Sequence, residues 1–386
     1  MSIILQVTPH DPVIARDGRP FGVGQGNRMR GLPWPLPSVV AGAFRTTLVK
    51  ANPELDFAGD MPQRLMQVAV AGTFPVCANK LYLPAPNDCV AAPNDDGNTI
   101  KTVYRLSPDE GYADGCDLPE GLKPVMLPTN VEDFKPADIP AWWPADKYVD
   151  WLLGRDVQFD GSFLKPPVQE TRDHVKLDPD LGSAAEGQIF STTGLNVSHL
   201  PRFDPKKESK FEARFAEVSL SVRVDDRASL LKLNKNVNMW HPLGGERRLV
   251  HWQKQPSGIS DWNCPDPIRN ALQATTKVRM ILATPAIFKH GWKPDLEHGP
   301  LKDCGLTLVG ASVGRWKAVS GWSLADTKDQ KRGPKPIRRM VPSGSVYFFT
   351  VNQGSAGKLA ERWLESVSDH EQEQRDGFGL AIWGTW

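Results

Sequence analysis

A chain of 386 residues has room for two domains of ordinary size, and 40% hydrophobic with 24% charged residues is the balance of a soluble globular protein. The formal net charge of +1 carries no nucleic-acid signature of its own, so the distribution of charge is the better test. The five cysteines, Cys77, Cys89, Cys116, Cys264 and Cys304, form no Cys-x-x-Cys and no metal-ligand spacing. That argues against a disulfide framework or a metal site and fits a reducing cytoplasm.

The opening Ser2-Ile-Ile-Leu-Gln-Val-Thr8 reads as a buried strand. It has no basic stretch ahead of a long apolar run, so no secretory signal is expected, and no segment of the chain reaches the ~20 apolar residues of a membrane span. A polar connection from Pro12 to Pro37 follows, with Arg16, Arg19, Arg28 and Arg30 among its glycines. Ser38 is the expected N-cap of a helix over Val39–Lys50, with Val39, Val40, Ala43, Phe44 and Leu48 on one face. Residues 84–187 are rich in Pro, Asp and Gly without periodicity, which marks a large insertion docked on the body by Trp142, Trp143 and Trp151. Val218–Val224 alternates as a half-buried strand, and Asp266-Pro267 is the expected start of a short helix reaching about Ala274. A second unit opens near Lys277. Its expected strands are Val278–Ala283, Leu306–Val309, Ala311–Val319 and Val346–Val351, with a helix over Ala356–Ser368. No helix is legible between Ala286 and Asp303. A glycine turn, Asp376-Gly-Phe-Gly379, leads into a terminal strand.

Five segments carry candidate chemistry. In the first loop, Arg16, Arg19, Arg28 and Arg30 offer planar forks suited to phosphate, with Phe21 as a stacking face. Arg172, His174 and Lys176 alternate, so a strand would set all three on one face as a phosphate track. Gly244-Gly-Glu-Arg-Arg248 brings Arg247 and Arg248 behind paired glycines that admit close backbone approach; a hairpin turn with Glu246 neutralising one arginine accounts for it equally. Residues 326–339 hold six cations, Arg338 and Arg339 among them, against two aspartates, next to aromatic Gly-Trp segments. Gly377, Phe378 and Gly379 form a turn whose amides could face an anion. No Walker loop, dinucleotide fingerprint, His-Glu-x-x-His or Gly-x-Ser-x-Gly elbow occurs, so a familiar metabolic enzyme has little support and no cofactor is expected.

Taken in order, Arg16-Asp-Gly-Arg-Pro-Phe21, Pro35-Leu-Pro-Ser-Val-Val-Ala-Gly-Ala-Phe-Arg45, Gly244-Gly-Glu-Arg-Arg248, Ser320-Gly-Trp322, Val341-Pro-Ser-Gly-Ser-Val-Tyr347 and Gly377-Phe-Gly-Leu380 resemble one family. It is the RAMP-superfamily subunit of the type III-B CRISPR (Cmr) effector that caps the 5′ handle of the guide RNA, Cmr subunit three. The resemblance implies an α+β fold of two ferredoxin-like (RRM-related) domains, 1–275 with the insertion and 276–386, packed around a cleft in which the closing glycine loop meets RNA. It implies a non-catalytic, guide-RNA-binding subunit in antiviral defence, partnered by the large polymerase-like subunit and the backbone RAMP subunits, and reaching target RNA through the complex. Arg16, Arg19, Arg45, Gly377 and Gly379 match its motifs. Two other readings stay open. One is a metal-independent RAMP-type endoribonuclease with His174 as acid/base. The other is an aromatic-rich ligand-binding protein with Trp142, Trp143 and Trp322 as platforms.

Overall fold

The computed structural model describes residues 2–17, 27–52, 55–95, 99–109, 111, 117–205, 214–226, 237–256, 262–323, 333–351 and 356–386. Arg19 and Phe21, and Lys328, Lys331 and Arg332 of the basic stretch, lie outside these residues.

The elements that organise the first half are β1 (Ser2–Pro9), β2 (Asn27–Arg28), α1 (Pro37–Ala51), β3 (Ala69–Cys77), β4 (Lys80–Pro84), β5 (Trp142–Pro144), β6 (Val168–Leu177), β7 (Ala184–Asn196), β8 (Ser219–Asp225), β9 (Asn238–Pro242) and β10 (Leu249–Lys254). Seven of them form one sheet in the order β9-β10-β1-β8-β3-β4-β5, every neighbour antiparallel. β1 and β8 hold the centre because they alternate most cleanly: Leu5, Val7, Leu220, Val222 and Val224 are fully buried and meet Val40, Phe44 and Leu48 of α1. Phe44 packs its ring 5.6 Å from that of Trp252 on β10. A side chain of that size contributes about 1.5–3 kcal/mol by leaving water.

α1 starts two residues ahead of the expectation. Leu36 is its N-cap residue, without a side-chain cap, and Pro37 takes the first helical position. Proline's fixed φ and missing N–H suit that position, so Ser38 sits inside the helix instead of capping it.

The second half uses α2 (Asp266–Gln273), β11 (Lys277–Leu282), β12 (Leu306–Ser312), β13 (Val346–Val351) and β14 (Leu380–Thr385). Its sheet runs β12-β13-β11-β14 and closes with the short strand Glu365–Ser366. α2 takes Pro265 as N-cap, which puts Asp266 in the first turn, where its charge still favours the helix dipole. The strand expected over Ala311–Val319 is divided. β12 ends at Ser312, and Lys317–Val319 pairs instead with Arg338–Met340 as a separate hairpin. The helix expected over Ala356–Ser368 is also broken. A 3-10 helix covers Ala356–Arg362, Leu364 turns to a positive φ, and Glu365–Ser366 adds a strand to β14. The apolar residues that suggested a helix, Leu359, Trp363, Leu364 and Val367, are all buried. Burial was legible there; the conformation was settled by the free edge of β14.

In chain order, β1, β3, β8 and β10 lie across the first sheet as fourth, first, third, second; β11, β12, β13 and β14 lie across the second in the same order. The fold is therefore mixed α and β with mostly antiparallel sheets. A long core joins the halves, from Phe74, Trp143 and Trp262 to Met280, Phe348 and Trp383. Trp143 and Trp151 are buried in that core, and Trp142 is buried in a smaller cluster with Tyr82, Leu164 and Leu200. Asp88 accepts from Arg279 Nη1 (2.5 Å) and Trp151 Nε1 (2.9 Å), and both partners of the ion pair are wholly inside. Arg105 lies over the Trp151 ring at 4.0 Å, and burial together with the Arg279 charge pushes its guanidinium down to about 10. Buried in this way, Trp142 and Trp143 cannot serve as ligand platforms. No helix among the described residues is long and apolar enough to cross a membrane.

Candidate nucleic-acid interface

Three of the arginine-bearing segments meet at one end of the first sheet. β2 pairs in parallel with β7, Asn27 opposite Phe190 and Arg28 opposite Ser191. β7 pairs with β6 as a long antiparallel ribbon. Residues 13–17 run beside β7 and the segment that follows β2. Val13 bridges Leu195, Arg16 bridges Gly31, and Leu32 N–H donates to Ala15 O (2.8 Å). On the far side, Gly245 N–H donates to Ile14 O (3.0 Å). The Gly-Gly pair makes that approach possible. Gly244 has φ +79°, and a Cβ there would run into the Ile14 carbonyl.

Arg16, Arg28, Arg30 and Lys176 are exposed. None of the four side chains makes a hydrogen bond or ion pair among the described residues. Arg172 is exposed but paired with Glu170. His174 stacks on Phe190 across the ribbon, with ring centroids 5.1 Å apart and planes 17° apart, and its Nε2 shares a 2.9 Å hydrogen bond with Thr192 Oγ1. Phe190 is not among the residues that the sequence singles out. Its signal was alternation in β7 opposite His174, which shows only once the register is known.

In the Gly244–Arg248 turn, Arg248 is half-buried and held by Glu246 at 2.8 Å, while Arg247 is exposed. Arg338 and Arg339 sit apart, on the hairpin that pairs Lys317–Val319 with Arg338–Met340. Arg338 pairs with the buried Glu373, and burial lowers its guanidinium from the usual arginine value. Arg339 lies 5.0 Å over the ring of Trp316.

The C-terminal glycine turn corrects its expectation most sharply. Gly377, Phe378 and Gly379 are buried. Their amides are spent inside the protein: Gly377 N–H donates to Gln374 O (3.1 Å), Phe378 N–H to Glu373 O (3.0 Å) and Gly379 N–H to Pro285 O (2.7 Å). No anion can reach them. Arg45 is buried beside this turn. Its Nη1 donates to Asp376 Oδ1 (2.6 Å), its Nη2 to Val68 O (2.8 Å) and Arg375 O (3.2 Å), and its Nε to Val68 O (3.2 Å). Arg45 is a structural tie and not an RNA ligand. Nor is the cleft between the sheets a basic groove. About 1270 Å³ in volume, it is lined by cations and carboxylates together, with Arg223 on Glu365 (2.8 Å) and Arg375 on Glu371 (2.6 Å). Among the described residues, the exposed cations Arg16, Arg28, Arg30 and Lys176 gather at the ribbon end of the first sheet. Among the described residues no cluster of His, Cys, Asp and Glu is arranged to hold a metal ion.

The family model described as CRISPR-associated protein (Cas_Cmr3) matches residues 5–386. Among solved structures, the chain is similar to one in a cryo-EM structure of the type III-B Cmr-beta bound to cognate target RNA, at 13% identity over 89% of this chain and 86% of that one, with a TM-score of 0.46. The same figures hold for that complex with AMPPnP also bound. A chain of the Csm3–Csm4 subcomplex of the type III-A CRISPR-Cas interference complex matches at 10% identity over 91% of this chain and 97% of that one, with a TM-score of 0.36. No curated protein matches.

Proposed function

Because the chain belongs to the CRISPR-associated Cas_Cmr3 family, we propose that it is a non-catalytic guide-RNA-binding and assembly subunit of a type III-B effector complex, gripping the 5′ handle of the guide in the cytoplasm for antiviral defence. The observation that carries this reading is the convergence of Arg16, Arg28 and Arg30, unpaired among the described residues, on the segments beside the β6–β7 ribbon. Such cations neutralise phosphates and set register, while splayed bases of a single strand find ring and guanidinium planes. The stacked His174–Phe190 pair offers such a plane on the ribbon.

In this reading each sheet is a ferredoxin-like RAMP unit. The shared strand order supports it, although the second unit has 3-10 turns and a five-residue helix where such a unit carries full helices. The insertion, clamped by the Asp88–Arg279 pair, and the exposed hairpin around Arg339 are surfaces for the large polymerase-like and backbone subunits. A held, stacked His174 with a hydroxyl partner suits binding better than proton transfer, which needs a base free to meet the proton it takes.

The test is a reconstituted complex carrying Arg16→Ala, Arg28→Ala and Arg30→Ala together. Lower guide occupancy or a blurred 5′ boundary is expected; unchanged occupancy and boundary overturn the assignment. Cutting of precursor RNA by the isolated chain without metal, abolished by His174→Ala, would replace it with the endoribonuclease.

A further inference from the structure

We propose that the edge of the first sheet carries a stacking platform for an unpaired base, centred on Trp240, and that it extends the RNA path beyond the ribbon. The inference rests on the RNA-binding reading above and names a site within it.

Trp240 lies on the edge strand β9 and is 54% exposed. Alternation explains why. Its neighbour Met239 pairs with the fully buried Trp252, so Trp240 takes the face turned away from α1. There it pairs with His251, and the two rings stack with centroids 4.9 Å apart and planes 24° apart. His10 closes one side edge-on at 5.5 Å and 81°. His251 is itself pinned by a 2.6 Å hydrogen bond between Nε2 and Asn238 Oδ1. The indole is thus fixed from one face and one edge. A ring already held in place loses little freedom when a ligand covers its other face.

What surrounds the ring selects the ligand. Leu249, 40% exposed, stands two residues from His251 on the same strand. The turn that joins β9 to β10 carries Arg247, exposed and without a hydrogen bond or ion pair among the described residues. That same turn touches Ile14, two residues from Arg16. An apolar, ring-lined platform on the same hairpin as a guanidinium unpaired among the described residues matches one nucleotide of a single strand, a base to stack and a phosphate to neutralise. A duplex keeps its bases stacked inside and presents no face to the indole. The backbone pairing from Arg16 through Ile14 to the Arg247 turn makes the path continuous with the ribbon end.

The experiment measures the affinity of the full chain for a short labelled single-stranded RNA and for a duplex of the same length, with Trp240→Ala, Trp240→Phe and Arg28→Ala. Trp240→Ala is expected to weaken single-strand binding by about 5- to 150-fold, the range of one base–aromatic stack. Trp240→Phe should recover most of that loss, and duplex binding should not move with either variant. Wild-type affinity in Trp240→Ala, or an equal loss on strand and duplex, overturns the platform. So does a Trp240→Ala chain that binds RNA normally but drops out of the reconstituted complex, which would make the face a protein interface. If Arg28→Ala weakens binding while Trp240→Ala does not, the platform alone falls. If the wild-type chain binds no RNA, the function proposed above falls as well.

Discussion

The turn at Asp376–Gly379 and the strip formed by residues 13–17 and 27–31 both set arginine beside glycine, but they spend their polar groups in opposite ways. At the turn, three successive amides and the Arg45 guanidinium are consumed by partners within the protein. At the strip, the backbone pairs with β7 and the Gly244–Gly245 turn, and the arginine side chains are left over. A glycine-rich approach of two backbones therefore says that something comes close, and it does not say whether that something is ligand or self. The deciding quantity is whether donors remain after internal bonds are counted. A buried donor is nearly always satisfied within the fold, so the surplus lies at the strip.

The largest effect that tests this contrast is expected from Arg45→Ala. It strands Asp376 inside the protein, where among the described residues only the Gln372 Nε2 side chain, at 3.0 Å, still donates to it. Removing one partner of a buried pair costs about 3–5 kcal/mol. The denaturation midpoint should fall accordingly while the folded fraction keeps its RNA affinity. Arg45→Met with Asp376→Ala should recover part of the stability. An RNA affinity that falls with stability unchanged would reverse the roles of the two regions.

Gly377→Ala comes next. At φ +85° the position is left-handed, and a new Cβ would sit 2.5 Å from the Val70 carbonyl oxygen, which belongs to β3 and cannot swing aside. A loss of about 1–3 kcal/mol is expected, read by thermal unfolding. A chain as stable as the wild type, with weaker RNA binding, would return the turn to the interface.

The strip should behave in the converse way. Arg16→Ala, Arg28→Ala and Arg30→Ala together should leave stability within about 0.5 kcal/mol, as for ordinary surface positions. The slope of log affinity against log salt should become shallower by about two, since each phosphate neutralised on a single strand adds about 0.7 to it. An unchanged slope would show that these arginines do not touch phosphate.

Much of this was legible in the sequence, and the failures have identifiable causes. Alternation located β1 and β8, and the apolar stripe located α1, because each buries one face only. Arg45 matches a motif of the resembling RNA-binding family, yet it stands between Ala41 and Val49 at helical spacing, and both are buried. That spacing was a signal for an inward arginine with an acidic partner. The partner, Asp376, lies 331 residues away, and no local pattern carries such a pairing. The segment at 356–368 misled for a related reason: its apolar residues do turn inward, but the edge of β14 draws Glu365–Ser366 into a strand. Trp240 was one aromatic among thirteen tryptophans until the β9–β10 register set it on His251. Pairing between segments distant in the chain decides all three cases, and it is the information that linear periodicity lacks.

The smallest effect isolates burial from geometry. Lys80 and Asp146 lie 2.7 Å apart, nearly the separation of Arg45 and Asp376, but their side chains are 53% and 52% exposed. Partial burial raises the Asp146 carboxyl, and the hydrogen bond and charge of Lys80 outweigh it, so the net shift is downward from the ordinary value. A depressed carboxylate adds stability that is present above the unfolded value, about 3.9, and lost as pH falls through the folded one. Solvent screens this pair, however, so Lys80→Ala should cost within about 0.5 kcal/mol at neutral pH. That remnant should fade below about pH 4 and shrink in high salt. A cost rivalling that of Arg45→Ala would mean that separation, and not burial, sets the worth of these pairs, and the distinction between the two regions would lose its physical basis.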